Sequence, residues 1–161
     1  RNVKRLTDHW FYVALSKSFW RNTSSTLLKL ISNFISKLMF TKIELFCQAI
    51  KDYEGYYEKS RSFRNKNPGN LKFAGQTGTT GKDAQGFAIF ESYEKGWAAL
   101  IRQVTIGCNG TSKVYFPDDT IFDFFRKYAP ASDKNEPYSY ALFCARRTKV
   151  EPTTKLKNLL I

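Results

Sequence analysis

The sequence predicts a mainly helical α+β fold, and three observations carry that expectation. Apolar residues recur at helical spacing over several segments, and a Gly-, Asn- and Thr-rich stretch near the middle lacks that spacing. The chain has 161 residues and 42% apolar content, enough for one domain with a core and against wholesale disorder.

Taken in order, a short helix is expected around 7–20, and a second amphipathic one carries Leu27, Leu28, Ile31, Phe34, Ile35 and Leu38 on one side. Lys29 and Lys37 interrupt that stretch, so it is too polar to span a bilayer. A helix over about 42–53 places Ile43, Phe46, Cys47 and Ile50 inward and stops at Gly55. Residues 56–86 show no helical period. Asn70–Ala74 and Gly86–Phe90 read as strands joined by a loose Gly75–Gly81 hairpin. Helices return at about 93–106, with Trp97, Leu100, Ile101 and Val104 inward, and at about 120–128, capped by Asp118 or Asp119. A helix from Pro137 to about Arg147 and a short one after Pro152 complete the pattern.

Charge narrows the partners. Lys and Arg number 26 against 14 Asp and Glu, a net +12 that points to a polyanion: nucleic acid, an anionic membrane surface or an acidic wall polymer. Half of the excess falls in residues 1–40, scattered and not run together, unlike an arginine-rich nucleic-acid tract. Residues 1–40 are therefore set apart as a basic N-terminal segment, a candidate for contact with anionic wall polymer or a membrane surface, and 41–161 as the main domain. Cys47, Cys108 and Cys144 are odd in number and lack metal-ligand spacing, and His9 is the single histidine. No metal or other cofactor is expected, and the thiols read as small buried hydrophobes.

One segment stands out chemically. Glu54 ends an amphipathic helix, Gly55 follows, then aromatics, then the turn-forming Asn67-Pro68-Gly69-Asn70 before a strand. A carboxylate fixed at a helix end and partly desolvated by aromatics meets the requirement for a general acid: a pKa raised toward neutrality. Two roles stay open for Asn67 and Asn70: turn formation, or hydrogen bonding to Glu54 and to a ligand. The same holds for Tyr128 and Tyr140, as core residues or as partners of the carboxylate, and for Arg64, as a helix-end partner or an anion contact.

Three blocks in fixed order carry a resemblance. They are Glu54-Gly55 with Arg64-Asn65-Lys66-Asn67-Pro68-Gly69-Asn70-Leu71, then Gly86-Phe87-Ala88-Ile89-Phe90 with Glu94-Lys95-Gly96-Trp97, and finally Tyr128-Ala129-Pro130 with Tyr140. From about residue 46 to 160 the chain resembles the lysozyme-like, lytic-transglycosylase-related domains of phage endolysins, virion proteins and bacterial wall enzymes. The resemblance implies a helical body with a small β-hairpin as one wall of a cleft that binds MurNAc–GlcNAc chains of peptidoglycan and cuts their β-1,4 bond. It implies Glu54 as the acid/base, with Asn67, Asn70, Arg64, Tyr128 and Tyr140 as substrate-side residues. A hydrolytic enzyme usually adds a second carboxylate, for which Asp83 is the candidate; a lytic transglycosylase works with one. It also implies a secreted, periplasmic or virion-associated protein acting at the cell wall. Two rivals remain: a non-catalytic wall-binding or virion structural module of the same fold, and a basic nucleic-acid-binding protein. The second lacks any RNP-type strand, zinc finger or helix-turn-helix pattern, and no nucleic acid is expected as partner.

Overall fold

Residues 41–133 and 135–160 are described by a computed structural model. The two helices expected within residues 1–40 lie outside the described residues. Among the described residues, five α-helices, two short 3₁₀ helices and one two-stranded antiparallel sheet follow one another, an α+β arrangement.

Helix α1 (Lys42–Tyr53) starts where Thr41 and Glu44 cap each other: Thr41 Oγ1 accepts from the Glu44 N–H at 3.1 Å, and Glu44 Oε2 accepts from the Thr41 N–H at 2.8 Å. Its buried face is Ile43, Phe46, Cys47, Ala49 and Ile50, as the apolar spacing predicts. It ends because Gly55 takes φ +68°, which lets the Gly55 N–H reach the Asp52 carbonyl and the Tyr56 N–H reach the Lys51 carbonyl. Glu54 is thereby fixed as the last helical-geometry residue before the chain turns.

Helix α2 (Arg61–Arg64) is a single turn capped by Ser60, in a region where the sequence shows no helical period. Asn67 follows, fully buried. Its Nδ2 donates to the Leu71 and Ala88 carbonyls at 2.9 and 3.0 Å, and its Oδ1 accepts from the Leu71 N–H at 2.9 Å. This side chain replaces a missing stretch of backbone ladder and ties the Asn-Pro-Gly-Asn turn to the sheet.

The sheet corrects one expectation. Strand β1 is Thr79–Lys82 and pairs with β2, Ala88–Phe90, with Lys82 opposite Ala88 and Thr79 opposite Phe90. The expected strand Asn70–Ala74 supplies only an isolated bridge between Lys72 and Phe87. Asn70 has φ +50°, which breaks extension. The Gln76 side chain also takes two of the groups a ladder would use, accepting from the Ala74 N–H at 2.9 Å and donating to the Lys72 carbonyl at 2.7 Å. Most of β1 therefore comes from the segment expected to be hairpin loop.

Helix α3 (Tyr93–Cys108) begins at the Ser92 cap and buries Gly96, Leu100, Val104, Gly107 and Cys108. Trp97 and Ile101 pack against the core while staying partly exposed. Helix α4 (Ile121–Tyr128) is capped by Thr120 with Asp123, not by Asp118 or Asp119. Those two acids are engaged elsewhere: Asp118 accepts from Lys155 and Lys157 at 2.9 and 2.8 Å, and Asp119 from Lys127 at 2.6 Å. Helix α5 (Pro137–Thr148) has Pro in its first turn and ends at Lys149 in the left-handed region. The short helix expected after Pro152 is a 3₁₀ helix, Leu156–Leu160, with Leu156 and Leu159 buried.

Helices α1 and α4 both pack on α5, and α1 also touches α3. The core between them is aromatic. Phe46, Phe124 and Phe125 are fully buried, with Phe46 5.7 and 5.6 Å from the other two ring centroids. Each such ring contributes about 2–3 kcal/mol by leaving water. The Tyr140 ring is stacked against Tyr53 at 3.9 Å and against Phe125 at 4.0 Å. Cys47, Cys108 and Cys144 are buried free thiols, as their spacing predicts. Among the described residues no helix is long and apolar enough to cross a membrane.

Candidate active site

Glu54 lies half-buried in the lining of a cleft of about 600 Å³. The helix end fixes its backbone, and two side chains fix its carboxylate. Tyr140 Oη donates to Oε1 at 2.8 Å, and Asn70 Nδ2 donates to Oε2 at 2.9 Å. Each oxygen thus accepts one bond from protein and keeps further acceptor capacity. Burial pushes the carboxyl pKa above its ordinary value; the bonds from Asn70 and Tyr140 and the charge of Arg61 work against that rise without cancelling it.

The two partners come from different parts of the chain. Tyr140 sits on α5, 86 positions after Glu54, and is 2% exposed. Asn70 ends the Asn-Pro-Gly-Asn turn, and its φ of +50° aims the amide back at the helix end. Both roles foreseen for Asn70, turn residue and partner of Glu54, are therefore filled at once. Tyr128, on α4, lines the cleft and donates its hydroxyl to the Gly69 carbonyl. Gly69 has no room for a side chain, since a Cβ there would lie 2.9 Å from that hydroxyl and 2.7 Å from Leu100 Cδ1. Burial raises both tyrosine hydroxyls well above their usual pKa, so they stay protonated and act as donors.

Three sequence expectations change. Asn67 is not on the cleft surface; its polar atoms are all committed to Leu71 and Ala88, and it serves as the internal strut of the turn. Arg64 is exposed and turns its guanidinium to the Lys59 carbonyl, away from the cleft lining. Asp83 is not a free second carboxylate. Its Oδ1 accepts from the Gln85 and Phe87 N–H groups, both at 2.9 Å, and its Oδ2 from Asn65 Nδ2 at 2.8 Å. Partial desolvation would raise its pKa, but these bonds outweigh that and hold the carboxyl below its ordinary value. Asp83 closes the β1–β2 turn and does not line the cleft. Among the described residues lining it, Glu54 is the one acid.

Arg61 occupies the place expected for Arg64. It lines the cleft, donates from Nε to Asn70 Oδ1 at 3.3 Å, donates from Nη1 to Gln85 Oε1, and lies 3.7 Å from the Phe87 ring centroid. Lys72 reaches the same ring at 3.8 Å. The sequence gives no sign of this choice, because a one-turn helix has no apolar stripe to set its phase. Gln103 and Tyr115 also line the cleft and carried no signal in the sequence. Among the described residues no group of three or more His, Cys, Asp or Glu side chains converges to hold a metal ion.

This arrangement can hold a proton on a fixed carboxyl beside a cleft of about 600 Å³, with hydroxyl and amide donors keeping the carboxyl in one orientation. Comparisons with protein-family models, with curated proteins and with solved structures find no match for this chain.

Proposed function

We propose that residues 41–161 form a lysozyme-like domain that cleaves the β-1,4 bond between MurNAc and GlcNAc in peptidoglycan, with Glu54 as its acid and base. The observation that carries the reading is a half-buried carboxyl, the one acid among the described residues lining the cleft, held on both oxygens by Asn70 and Tyr140 and shifted toward the protonated form. Order and spacing of the three sequence blocks support the same reading. As acid, Glu54 gives its proton to the glycosidic oxygen while the C1–O bond breaks. As carboxylate, it then takes the proton of the incoming hydroxyl, so the carboxyl is restored.

The engagement of Asp83 favours the one-carboxylate route. A hydrolytic enzyme usually supplies a second carboxyl about 5–9.5 Å from the first, free to act as nucleophile or base. In the one-carboxylate route the incoming group is the 6-hydroxyl of the same MurNAc, and the product carries a 1,6-anhydro ring, as in a lytic transglycosylase. The proposed setting is the bacterial cell wall, reached by a secreted, periplasmic or virion-associated protein.

Mass spectrometry of the soluble fragments released from purified peptidoglycan tests both points. Muropeptides one water lighter than the hydrolysed species are expected. Fragments at the hydrolysed mass would replace the transglycosylase reading by a lysozyme one, and no released fragments would overturn the enzyme reading.

The pH profile follows from the carboxyl. Glu54 must be protonated to start the reaction, so activity falls as pH rises through its pKa, and burial moves that fall above the ordinary carboxylate range. Asn70 favours the charged form, so Asn70→Ala is expected to move the falling limb to still higher pH. The maximal rate should drop about tenfold because the carboxyl loses one of its two anchors. A limb that moves to lower pH would show that Asn70 does not act on Glu54 in this way.

A further inference from the structure

The cleft is electrically lopsided. Arg61, Lys72 and Lys127 line it, and Glu54 is the one acid among the described residues that do so. Lys127 is neutralised by Asp119 at 2.6 Å. Arg61 and Lys72 form no ion pair among the described residues. Their contacts are all with neutral groups: the Asn70 and Gln85 side-chain carbonyls for Arg61, the Gln85 main-chain carbonyl at 3.2 Å for Lys72, and the Phe87 ring for both.

Such contacts fix the position of a cation without cancelling its charge. An aromatic face attracts a cation through its quadrupole and carries no net charge. Arg61 uses two of its N–H donors in these bonds and Lys72 one, so donors remain on both heads. The result is a pair of immobilised positive charges without an ion-pair partner among the described residues, set against one ring at the hairpin side of the cleft that Glu54 lines; Glu54 and Asp83 feel the charge of Arg61 without contacting it. Scattered surface lysines that merely attract a polyanion do not share a ring and a carboxamide partner in this way.

We infer that Arg61, Lys72 and Phe87 form an anion subsite that binds a carboxylate of the peptide stem, so that the cleft selects peptide-bearing glycan strands over the bare sugar chain. The inference rests on the proposed peptidoglycan substrate and adds the part of it that is recognised. The sugar backbone of a stem-bearing strand is uncharged, because each lactyl group is in amide linkage. The free carboxylates of the polymer therefore belong to the stems, and Arg61 offers a planar fork suited to one of them.

The test uses the full chain carrying Glu54→Gln, so that strands are bound and not consumed. Dissociation constants are measured for three soluble probes: glycan strands with free stem carboxylates, the same strands with those carboxylates converted to amides, and strands stripped of stems by an amidase, which leaves the lactyl carboxylate. The free-carboxylate strands are expected to bind about fivefold more tightly than the amidated ones at low salt, the size of a solvent-accessible ion contact. Adding Lys72→Gln or Arg61→Gln should bring that ratio close to one. The ratio is the readout because a general loss of fold or of Glu54 positioning weakens both probes together. Lys72→Gln is the cleaner change, since its head is exposed and touches neither Asn70 nor Glu54.

Equal binding of carboxylated and amidated strands overturns the subsite, as does a ratio that survives both substitutions or an absence of binding to every probe. Stripped strands that bind as tightly as intact ones overturn the assignment to the stem in favour of the lactyl group. If the unsubstituted chain releases muropeptides and the ratio is one, the subsite alone falls. If it releases none while the charge preference holds, the catalytic reading falls and the subsite stands.

Discussion

Glu54→Gln is expected to abolish peptidoglycan cleavage, lowering the rate about 10³-fold or more, while making the fold more stable at neutral pH. The rate follows from losing the one acid that lines the cleft among the described residues. The stability follows from linkage. Burial raises the folded-state pKa of Glu54, so the native chain holds this proton more tightly than the unfolded chain does. That contribution is fully present below the unfolded value of about 4.3 and is lost as pH rises through the folded value. Above that folded value the wild-type chain holds an ionised, partly dehydrated carboxylate, below it a proton the unfolded chain would have released, and an uncharged amide removes either penalty.

Gln also fits the existing bonds. Its oxygen accepts from Asn70, and its NH₂ donates to Tyr140 Oη, whose own proton turns to the Ile50 carbonyl 3.5 Å away. Discounted for the group's partial exposure, the gain is about 1 kcal/mol, or about 3–5 °C in Tm. It should vanish when melts are repeated in acid. Loss of turbidity in a peptidoglycan suspension reads the activity. Equal clearing by both chains would remove Glu54 from the mechanism, and a lower Tm for the variant at neutral pH would show that the carboxylate is stabilising.

The second large effect lies in a glycine that does not itself line the cleft. Gly96→Ala on α3 is expected to destabilise the fold by about 2–4 kcal/mol. An added Cβ would stand 2.0 Å from the Lys66 carbonyl oxygen and 2.9 Å from Pro68 Cδ. The nearer atom is backbone and cannot swing aside, so helix and turn must separate. Ala is the better helix former by about 0.8–1 kcal/mol, which is too little to offset the overlap. The displaced segment leads directly to Asn70, so a loss of rate should accompany the loss of stability. Urea unfolding with an unchanged slope and a lower midpoint is the expected record. A midpoint at or above wild type would mean that α3 and the turn separate at little cost.

How much of this could be read in the sequence depends on whether a feature is periodic or spatial. Helix α1 was legible because Ile43, Phe46, Cys47 and Ile50 repeat at 3.6-residue spacing and Gly55 marks the end. The start of α4 is not legible in the sequence, because Asp118 and Asp119 look as good as caps as Thr120, which caps the helix. The choice of Thr120 depends on lysines 37 and 39 residues away from Asp118 that occupy that acid. The Asn70–Ala74 strand failed for a similar reason, since the Gln76 side chain competes for its backbone groups.

In the site, Glu54 stands out in the sequence by its place before Gly55 and by the order of the three blocks that carry the resemblance. Its partnership with Tyr140 was one of two open readings, decided only when α5 is laid beside α1. Arg61 and Arg64 are the sharpest case. They have the same chemistry and lie three positions apart on a helix of one turn, and nothing in composition separates them. The ring of Phe87 on the other side of the turn does. Asp83 and Asn67 looked chemically free because a sequence shows polar groups but not what already holds them.

The bond from Tyr140 to Glu54 also has a consequence in time. A chain made from its N-terminus exposes Glu54 and Asn70 long before Tyr140 has been added. Until α5 has been synthesised and docked, the carboxylate has no hydroxyl on Oε1 and no Tyr140 ring layered between Tyr53 and Phe125 beside it. Nascent and truncated chains thus carry Glu54 without the full environment that shifts its proton affinity. If Glu54 acts as proposed, it acquires that proton affinity only once α5 has docked beside α1.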